Sequence, residues 1–392
     1  MKILSVRFDA NDILSRMKAS SSLNANRAMR PRIALLRAFP TPAFLIPPAA
    51  GVDVSDTSIK WLVLEPGATG DRIRSYGDQR LPEGVIVHGI IKDMDAFIEA
   101  LIELRHLLGS VSHAHAALPE EAAYVFSMNI PYGSSRQQAL RLIEFEFEGR
   151  VPIAPSEAVY DFDVIESGGE GGVQEIGVTV FPHDLSASYT EAFTRAGFTL
   201  SSLEVEASSI GRAVSTGLPN EPVTLVVDFG RARSGFAVLK RGIPIFTSTV
   251  EIGGDAITRA VEKELSLTGV EVETFKNEQG LMADAAHASS GIESVIGTAS
   301  ALAGEILRHY NYWDTRRNER GERMTPVGRV VLVGGSSNLK GLVDYVAGRV
   351  QAKVELGDIW QRMFSLDDYI PPIDKRLSLE YATAAGLVLR GR

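Results

Sequence analysis

The feature that most constrains this 392-residue chain is a short segment that occurs twice, 175 residues apart. An Asp follows an apolar strand, with a small residue two positions later, in Val52-Asp53-Val54-Ser55 and again in Val227-Asp228-Phe229-Gly230. A Leu follows each Asp after eleven residues and a Gly after fourteen. The spacing predicts two equivalent hairpins, and therefore two duplicated lobes that each present an acidic residue at a strand end.

The two predicted turns carry groups that suit a phosphate ligand. A small residue after the Asp lets backbone N–H groups approach phosphate oxygens closely, and a lysine reaches them as a point charge. If Asp53 and Asp228 face each other across a cleft, they can organise a hydrated Mg²⁺, which keeps several of its waters. A lone Asp-x-Gly turn is ordinarily a plain hairpin, so the prediction depends on the repetition. The further candidate contacts are Ser55, Thr57, Ser58, Lys60, Gly230 and Ser234.

Strand and helix patterns alternate along the chain, which indicates an α/β protein with two sheets. The length exceeds one ordinary core, and 45% of the residues are hydrophobic, so the chain can fill two. Strands are predicted at 52–54, 59–63, 114–118, 124–130, 160–165, 173–181, 223–227, 234–239, 243–250 and 330–333. Helices are predicted at 93–108, 135–147, 184–196, 255–265, 292–312 and 379–389.

Charge and composition exclude several classes of function. The net charge of the whole chain is −9. Residues 1–49 carry a net charge of +6, so the remaining residues carry a net charge of −15. Such an acidic body argues against nucleic-acid binding. The absence of cysteine excludes disulfides and thiol catalysis, and no run of about 18 apolar residues predicts a membrane span. The basic, proline-containing segment 1–48 is either a disordered extension or a segment that contacts an anionic membrane.

Six segments, in order along residues 51–392, carry a resemblance to known proteins. They are Gly51 to Lys60, Ile130-Pro131-Tyr132 with Glu144 to Pro152, Asp228-Phe229-Gly230 with Ser234, Ile252 to Thr258, Val331 to Leu339, and Tyr381 to Arg390. They resemble the phosphate and adenosine motifs of the actin-like ATPases and, more narrowly, the PilM family of type IV pilus assembly.

The resemblance implies an actin-like (ribonuclease H-like) two-lobed fold with subdomains 1A, 1C, 2A and 2B, and ATP with Mg²⁺ as cofactors. The predicted division assigns 49–88, 166–218 and 356–392 to 1A, 89–165 to 1C, 219–256 and 325–355 to 2A, and 257–324 to 2B. It also implies a cytoplasmic protein at the inner face of the inner membrane, which binds the N-terminal cytoplasmic peptide of a PilN-like membrane protein and other pilus assembly subunits.

The resemblance assigns the remaining site residues as well. Glu305 is expected to bind the ribose hydroxyls and Arg308 to lie near the adenine, although the two also suit an exposed ion pair one helical turn apart. Glu206 stands where the superfamily often places a polar residue that orients the attacking water. The adenosine turn is expected to use Gly334, Gly335, Ser336 and Asn338.

Arg231 and Arg233 depart from the family pattern, which has small or hydroxyl residues in the second phosphate turn. They either grip phosphate or replace the metal with fixed positive charge. Two functions therefore stay open: an ATP-binding assembly factor with slow ATPase activity, and a scaffold that does not depend on nucleotide. A cell-division role similar to that of FtsA is a more distant alternative, because the sequence ends directly after its closing helix where FtsA usually adds a membrane helix.

Overall fold

A computed structural model describes residues 47–390 apart from 68–69, 168–171, 219, 283–289, 318–320 and 322. The predicted extension 1–48, except its last two residues, and most of the glycine-rich segment 167–172 lie outside the described residues. The helices are α1 Met94–Leu107, α2 Arg136–Arg150, α3 His183–Arg195, α4 Glu206–Val214, α5 Gly254–Leu265, α6 Val270–Thr274, α7 Ser290–Thr315, α8 Leu342–Ala347 and α9 Ala382–Val388.

Two five-stranded sheets share one topology, which confirms the predicted duplication of lobes. In lobe I the order is β10-β6-β1-β2-β3, and in lobe II it is β15-β14-β11-β12-β13. In each sheet the hairpin strands pair antiparallel and the two further strands pair parallel. The strands are β1 Ala49–Val54, β2 Ser58–Pro66, β3 Asp71–Arg80, β4 Ile86–Val87, β5 Ile90–Ile91, β6 His113–Leu118, β7 Tyr124–Pro131, β8 Ala158–Ser167, β9 Val173–Pro182, β10 Thr199–Val205, β11 Val223–Phe229, β12 Ser234–Lys240, β13 Ile243–Val250, β14 Val327–Val333 and β15 Lys353–Leu356.

A small third unit is inserted into lobe I. Its sheet has the order β7-β9-β8, and α2 covers it with the buried side chains of Ala139, Ile143 and Phe147. Ser135 caps α2 in a reciprocal capping box with Gln138, which fixes where the helix begins. The exact subdomain boundaries stay a prediction. The strand pairing places two strands differently from that division: β9, predicted for 1A, pairs within the small sheet, and β6, predicted for 1C, pairs within the sheet of lobe I.

Two helices lie between the large sheets and hold them together. Helix α9 crosses α4 so closely that a Cβ on Gly386 would lie 1.7 Å from the carbonyl oxygen of Ser209, so only glycine fits there. The hydrophobic core around these helices contains residues of both lobes, such as Val52 on β1 and Val331 on β14. One continuous hydrophobic core therefore lies beneath the cleft and connects the two lobes.

The helices and strands predicted from periodicity are confirmed, with ends that differ by a few residues. The last helix begins as a short 3-10 segment, Leu377–Tyr381, before α9. Helices α4 and α6 and strands β3, β4, β5, β10 and β15 were not predicted. Among the described residues, no helix combines the length and the apolar character that crossing a membrane requires.

Candidate functional site

The two hairpins meet at one cavity of about 730 Å³. Asp53 lies near the end of β1, opposite Lys60 on β2, and Asp228 lies near the end of β11, opposite Gly235 on β12. The side chains of both acids line the cavity, one from each lobe. The duplicated segments therefore do converge, as the sequence predicts.

The first turn is held by its own hydroxyl groups. The Ser55 Oγ donates to the Ser58 carbonyl oxygen at 3.1 Å and accepts from the Ser58 backbone N–H at 3.1 Å. The Thr57 backbone N–H also donates to the Ser55 Oγ, at 3.4 Å. These bonds keep the turn tight, so backbone N–H groups and hydroxyls lie together at the cavity wall.

The second turn is tied to the elements behind it. The Gly230 carbonyl oxygen accepts from the Gly254 N–H, at the start of α5, and from the Ser336 Oγ, each at 3.0 Å. The Asp255 N–H donates to the Arg231 carbonyl oxygen at 2.9 Å. The turn therefore fixes the start of α5 and the segment after β14 to the same side of the cavity.

Arg233 reaches from the second turn across to lobe I. Its guanidinium forms ion pairs with Asp56 in the first turn and with Glu121, in the 3-10 turn Glu120–Ala122. Asp56 is itself fixed, because it accepts from the backbone N–H groups of His88 at 2.8 Å and Gly89 at 3.0 Å. Arg233 thus links the two turns, whereas the side chain of Arg231 is exposed at the cavity.

The acids of the cavity share a poorly hydrated environment. Burial raises the pKa of Asp53 to about 7, and Lys60 opposes this rise. Burial also raises the pKa of Asp228 to about 6, again against Lys60. The pKa of Glu206, the first residue of α4, lies well above its usual range because of burial and the nearby carboxylates of Asp53 and Glu120. Removing charged groups from water disfavours their ionised forms, so these acids stay neutral to a higher pH than exposed carboxyl groups do, and a nearby cation favours their ionisation.

A backbone turn after β14 forms the third wall. Gly334 has φ +84°, and a Cβ there would lie 2.3 Å from the Asp228 Oδ1. Glycine is therefore required twice, by the left-handed backbone and by the close approach to the acid. Gly335 and Ser336 follow it along the cavity wall.

Comparisons with known proteins agree with this geometry. The family model described as type IV pilus assembly protein PilM matches residues 51–392. The chain belongs to the PilM family. A solved PilM-PilN type IV pilus biogenesis complex is similar to it, with a TM-score of 0.70 at 20% identity over 88% of this chain and 98% of that one. The ethanolamine utilization protein EutJ from Carboxydothermus hydrogenoformans has a TM-score of 0.50 at 18% identity over 90% of this chain and 92% of that one.

Family and fold together make this chain an actin-like protein of type IV pilus assembly. The cleft between its lobes collects most of the residues that the sequence predicts for the site. Those that line the cavity are Asp53, Ser55, Thr57, Ser58, Lys60, Glu206, Asp228, Gly230, Gly334, Gly335 and Ser336.

Four predicted residues do not line the cavity. Ser234 is fully buried and donates its hydroxyl to the Ile252 carbonyl oxygen at 2.6 Å. Asn338 donates to the carbonyl oxygens of Gly335 at 3.3 Å and Arg376 at 3.0 Å. Glu305 and Arg308 form an ion pair with each other on α7. The structure gives these residues contacts of their own, and their nucleotide-binding roles stay predictions.

The cavity also contains residues that sequence reasoning missed. Glu120 is only 6% exposed and lines it from lobe I. Lys276 lines it as well; it is 8% exposed and donates to Glu273 at 2.9 Å and to the Thr258 hydroxyl at 3.2 Å. The Glu-x-x-Lys spacing of 273 and 276 was a readable signal for a pair on one helix face. For Glu120 no local signal exists.

The charges of the cavity suit a magnesium complex better than a free anion. Eleven of the described residues that line it are carboxylic acids, against five lysines and arginines, so the lining offers more oxygen ligands for a cation than positive charges for a free anion. Carboxylate oxygens are the ligands that Mg²⁺ prefers, largely through retained water. No group of three His, Asp or Glu side chains within the described ranges is placed to hold an ion directly. The donor set therefore fits a hydrated Mg²⁺ that arrives with phosphate.

Proposed function

We propose that this PilM-family protein binds Mg-ATP in the cleft and uses it in pilus assembly. One observation carries the proposal: Asp53 and Asp228, from duplicated hairpins of separate lobes, line the same cavity. A volume of about 730 Å³ is in the range that small-molecule ligands occupy. When bound, Mg²⁺ would neutralise phosphate charge between the two acids.

The cavity also indicates the direction of the nucleotide. The phosphate end lies at the two hairpin turns. The Gly334–Ser336 turn lies against Asp228 and Gly230, beside the phosphate end. The far end is lined by Glu273 and Lys276, and the Lys276 carbonyl oxygen accepts from the Lys340 N–H at 2.9 Å. The ribose hydroxyls would then meet Glu273 and Lys276 rather than Glu305 and Arg308.

Paired variants test this direction. Glu273→Gln should lower ATP affinity about tenfold, which corresponds to a lost hydrogen bond to a charged group. Glu305→Gln should leave the affinity within twofold of the wild type. Calorimetric titration with ATP and with 2′,3′-dideoxy-ATP measures both, because the dideoxy nucleotide should remove the difference between wild type and Glu273→Gln. The opposite ranking of the two variants would restore Glu305 as the ribose ligand.

Glu206 is the residue best placed to orient an attacking water. It begins α4, lines the cavity and lies near Asp53. Burial and the neighbouring carboxylates raise its pKa well above the usual range, which makes its ionised form a stronger base than an exposed glutamate. Hydrolysis by this route depends on the positioning of the attacking water and on the neutralisation of phosphate charge.

A scaffold without turnover is the second candidate, and the ion pairs of Arg233 favour it. They join the two phosphate turns through the protein's own carboxylates. Phosphate release from Mg-ATP separates the two functions. Release that disappears in Glu206→Gln, with ATP binding retained, supports the ATPase. Tight binding without release supports the scaffold, and no binding in the wild-type protein would refute the nucleotide proposal itself.

We also propose that a PilN-like partner binds with its N-terminal cytoplasmic peptide between lobe I and the small sheet. A second cavity of about 130 Å³ lies there. Its walls are β8, an edge strand of the small sheet, and β10, an edge strand of lobe I. Exposed backbone groups of an edge strand are suited to pair with an extended peptide. Apolar side chains such as Val159, Phe181 and Leu200 line the groove.

Two threonines on α3 give a matched test. The Thr190 and Thr194 hydroxyls each donate at 2.7 Å to the carbonyl oxygen four residues earlier, but only Thr190 lines the groove. Thr190→Arg should reduce binding of a fluorescent PilN-like peptide at least tenfold, because the long side chain fills the groove. Thr194→Arg should bind as the wild type does. Equal affinity of both variants would place the peptide elsewhere.

A further inference from the structure

Glu120 is a buried acid that neither the sequence motifs nor the proposed nucleotide contacts explain. It is 6% exposed, and among the described residues its Oε2 has no hydrogen-bond partner. The backbone amide of Ala207, next to Glu206, hydrogen-bonds to its carboxylate. A buried carboxylate oxygen without a partner costs free energy, so its place in the cavity points to a missing ligand.

The hairpin of lobe II makes room for this carboxylate. A Cβ on Gly235 would lie 2.6 Å from the Glu120 Oε2 and 3.8 Å from the Asp228 Cβ. The Glu120 Oε2 and the Asp228 Cβ are therefore at most about 6.4 Å apart. Gly235 is the partner of Asp228 in the strand register, as Lys60 is the partner of Asp53 in lobe I. In lobe I the residue opposite the acid is a lysine. In lobe II it is a glycine, and the Glu120 carboxylate occupies the space beside it.

Two acids side by side attract a cation. Burial and the neighbouring Asp228 carboxylate both raise the pKa of Glu120 well above its usual range. Lys60 acts on Asp53 and Asp228 but is not among the charges that act on Glu120. A divalent ion with its waters would satisfy the unpartnered oxygen and the neighbouring Asp228 together.

We propose that Glu120 belongs to the magnesium side of the nucleotide site and that, with Asp228, it holds the water shell of Mg²⁺ bound to ATP. The inference rests on the proposed function and deepens it. Glu120 is thus a metal-binding residue of the cleft that is supplied by the 3-10 turn after β6, outside both phosphate hairpins.

The test compares ATP affinity with Mg²⁺ and with EDTA in the same calorimetric titration. Glu120→Gln keeps an oxygen acceptor for the Ala207 amide and removes only the charge. It should reduce the gain in affinity that Mg²⁺ confers about tenfold, while the affinity in EDTA stays equal or improves because one negative charge is lost. Glu262→Gln is the control. Glu262 also lines the cavity, but it is exposed and eight residues along α5 from Gly254, a distance of roughly 12 Å.

A backbone variant provides the second arm. Gly235→Ala introduces a Cβ only 2.6 Å from the Glu120 Oε2 and should displace the carboxylate, with the same loss of the magnesium effect. If Glu120→Gln keeps the wild-type ratio, or weakens binding equally with Mg²⁺ and EDTA, the proposal is wrong and Glu120 has only a structural role. If the wild-type protein binds no ATP under either condition, the proposed function itself has failed.

Discussion

The two phosphate hairpins have the same backbone and different chemistry. In strand register, Lys60 and Gly235 occupy equivalent positions opposite Asp53 and Asp228. At the same offset, Ser58 in the first turn corresponds to Arg233 in the second. The first hairpin is thus self-contained, with its own cation and hydroxyls, whereas the second depends on side chains from lobe I.

The comparison shows how a duplicated fold becomes an asymmetric site. Gly235 admits Glu120, and Arg233 reaches Asp56 and Glu121, so lobe II is completed by residues more than 100 positions earlier in the chain. Magnesium and the closure of the cleft would then depend mainly on the second hairpin, and direct attraction of phosphate mainly on the first.

Removing Lys60 should have the largest effect. Lys60→Met takes away the cation that lowers the pKa of both Asp53 and Asp228. ATP affinity should fall about 30- to 100-fold, which corresponds to roughly 2–3 kcal/mol for a charge-assisted contact. If Lys60 contacts phosphate directly, the calorimetric loss should be similar with Mg²⁺ and with EDTA. Lys60→Arg is the control, and a loss that occurs only with Mg²⁺ would reverse the division between the hairpins.

Arg233→Ala should accelerate nucleotide release about fivefold, because opening the cleft no longer breaks ion pairs worth about 1 kcal/mol. Stopped-flow displacement of a fluorescent ATP analogue measures the rate. Arg231→Ala, at an exposed position in the same turn, should leave it unchanged.

Glu121→Gln decides between two roles of Arg233. If Arg233 links the lobes, Glu121→Gln also accelerates release. If Arg233 instead binds phosphate, the freed guanidinium makes ATP bind more tightly and dissociate more slowly, which would contradict the link.

Stability in EDTA should depend on pH through both acids. A carboxyl group whose pKa is raised in the folded state binds its proton more tightly there, so the free energy of unfolding falls as pH rises from about 4 through the folded pKa. For Asp53 this range extends to about 7 and for Asp228 to about 6. The difference in melting temperature between Asp53→Asn and the wild type should therefore grow in favour of the variant as pH rises to about 7. For Asp228→Asn the same difference should stop growing at about pH 6. Parallel wild-type and variant curves would show that neither acid is desolvated.

The turn residues should have the smallest effect. Ser55→Gly removes the hydroxyl that bridges to Ser58 and should lower the free energy of unfolding by about 1 kcal/mol, with ATP affinity within threefold of the wild type. Gly230→Ala adds a Cβ 3.0 Å from the Arg233 carbonyl oxygen and should cost a similar amount. Urea denaturation measures both. A larger loss for Gly230→Ala would show that the second turn tolerates less change than the first.

Much of the fold could be predicted because it is encoded in local patterns. Alternating apolar residues and the repeated Asp gave the strands β1, β2, β11 and β12 and their pairing. Strand β3 was missed because its sequence, DRIRSYGDQR, is polar and none of its residues is buried. Strand β10 was missed because it lies at a sheet edge and mixes serines with apolar residues.

The sequence by itself determined that two lobes each present an acid at a hairpin, because strand pairing and turns depend on neighbours in the chain. Only the tertiary structure decided which side chains complete the site. Glu120, the Arg233 ion pairs and the placement of Lys276 depend on contacts between segments that are distant in sequence. No local pattern encodes such contacts, since they arise only when the sheets and helices pack and bring those segments to one cavity.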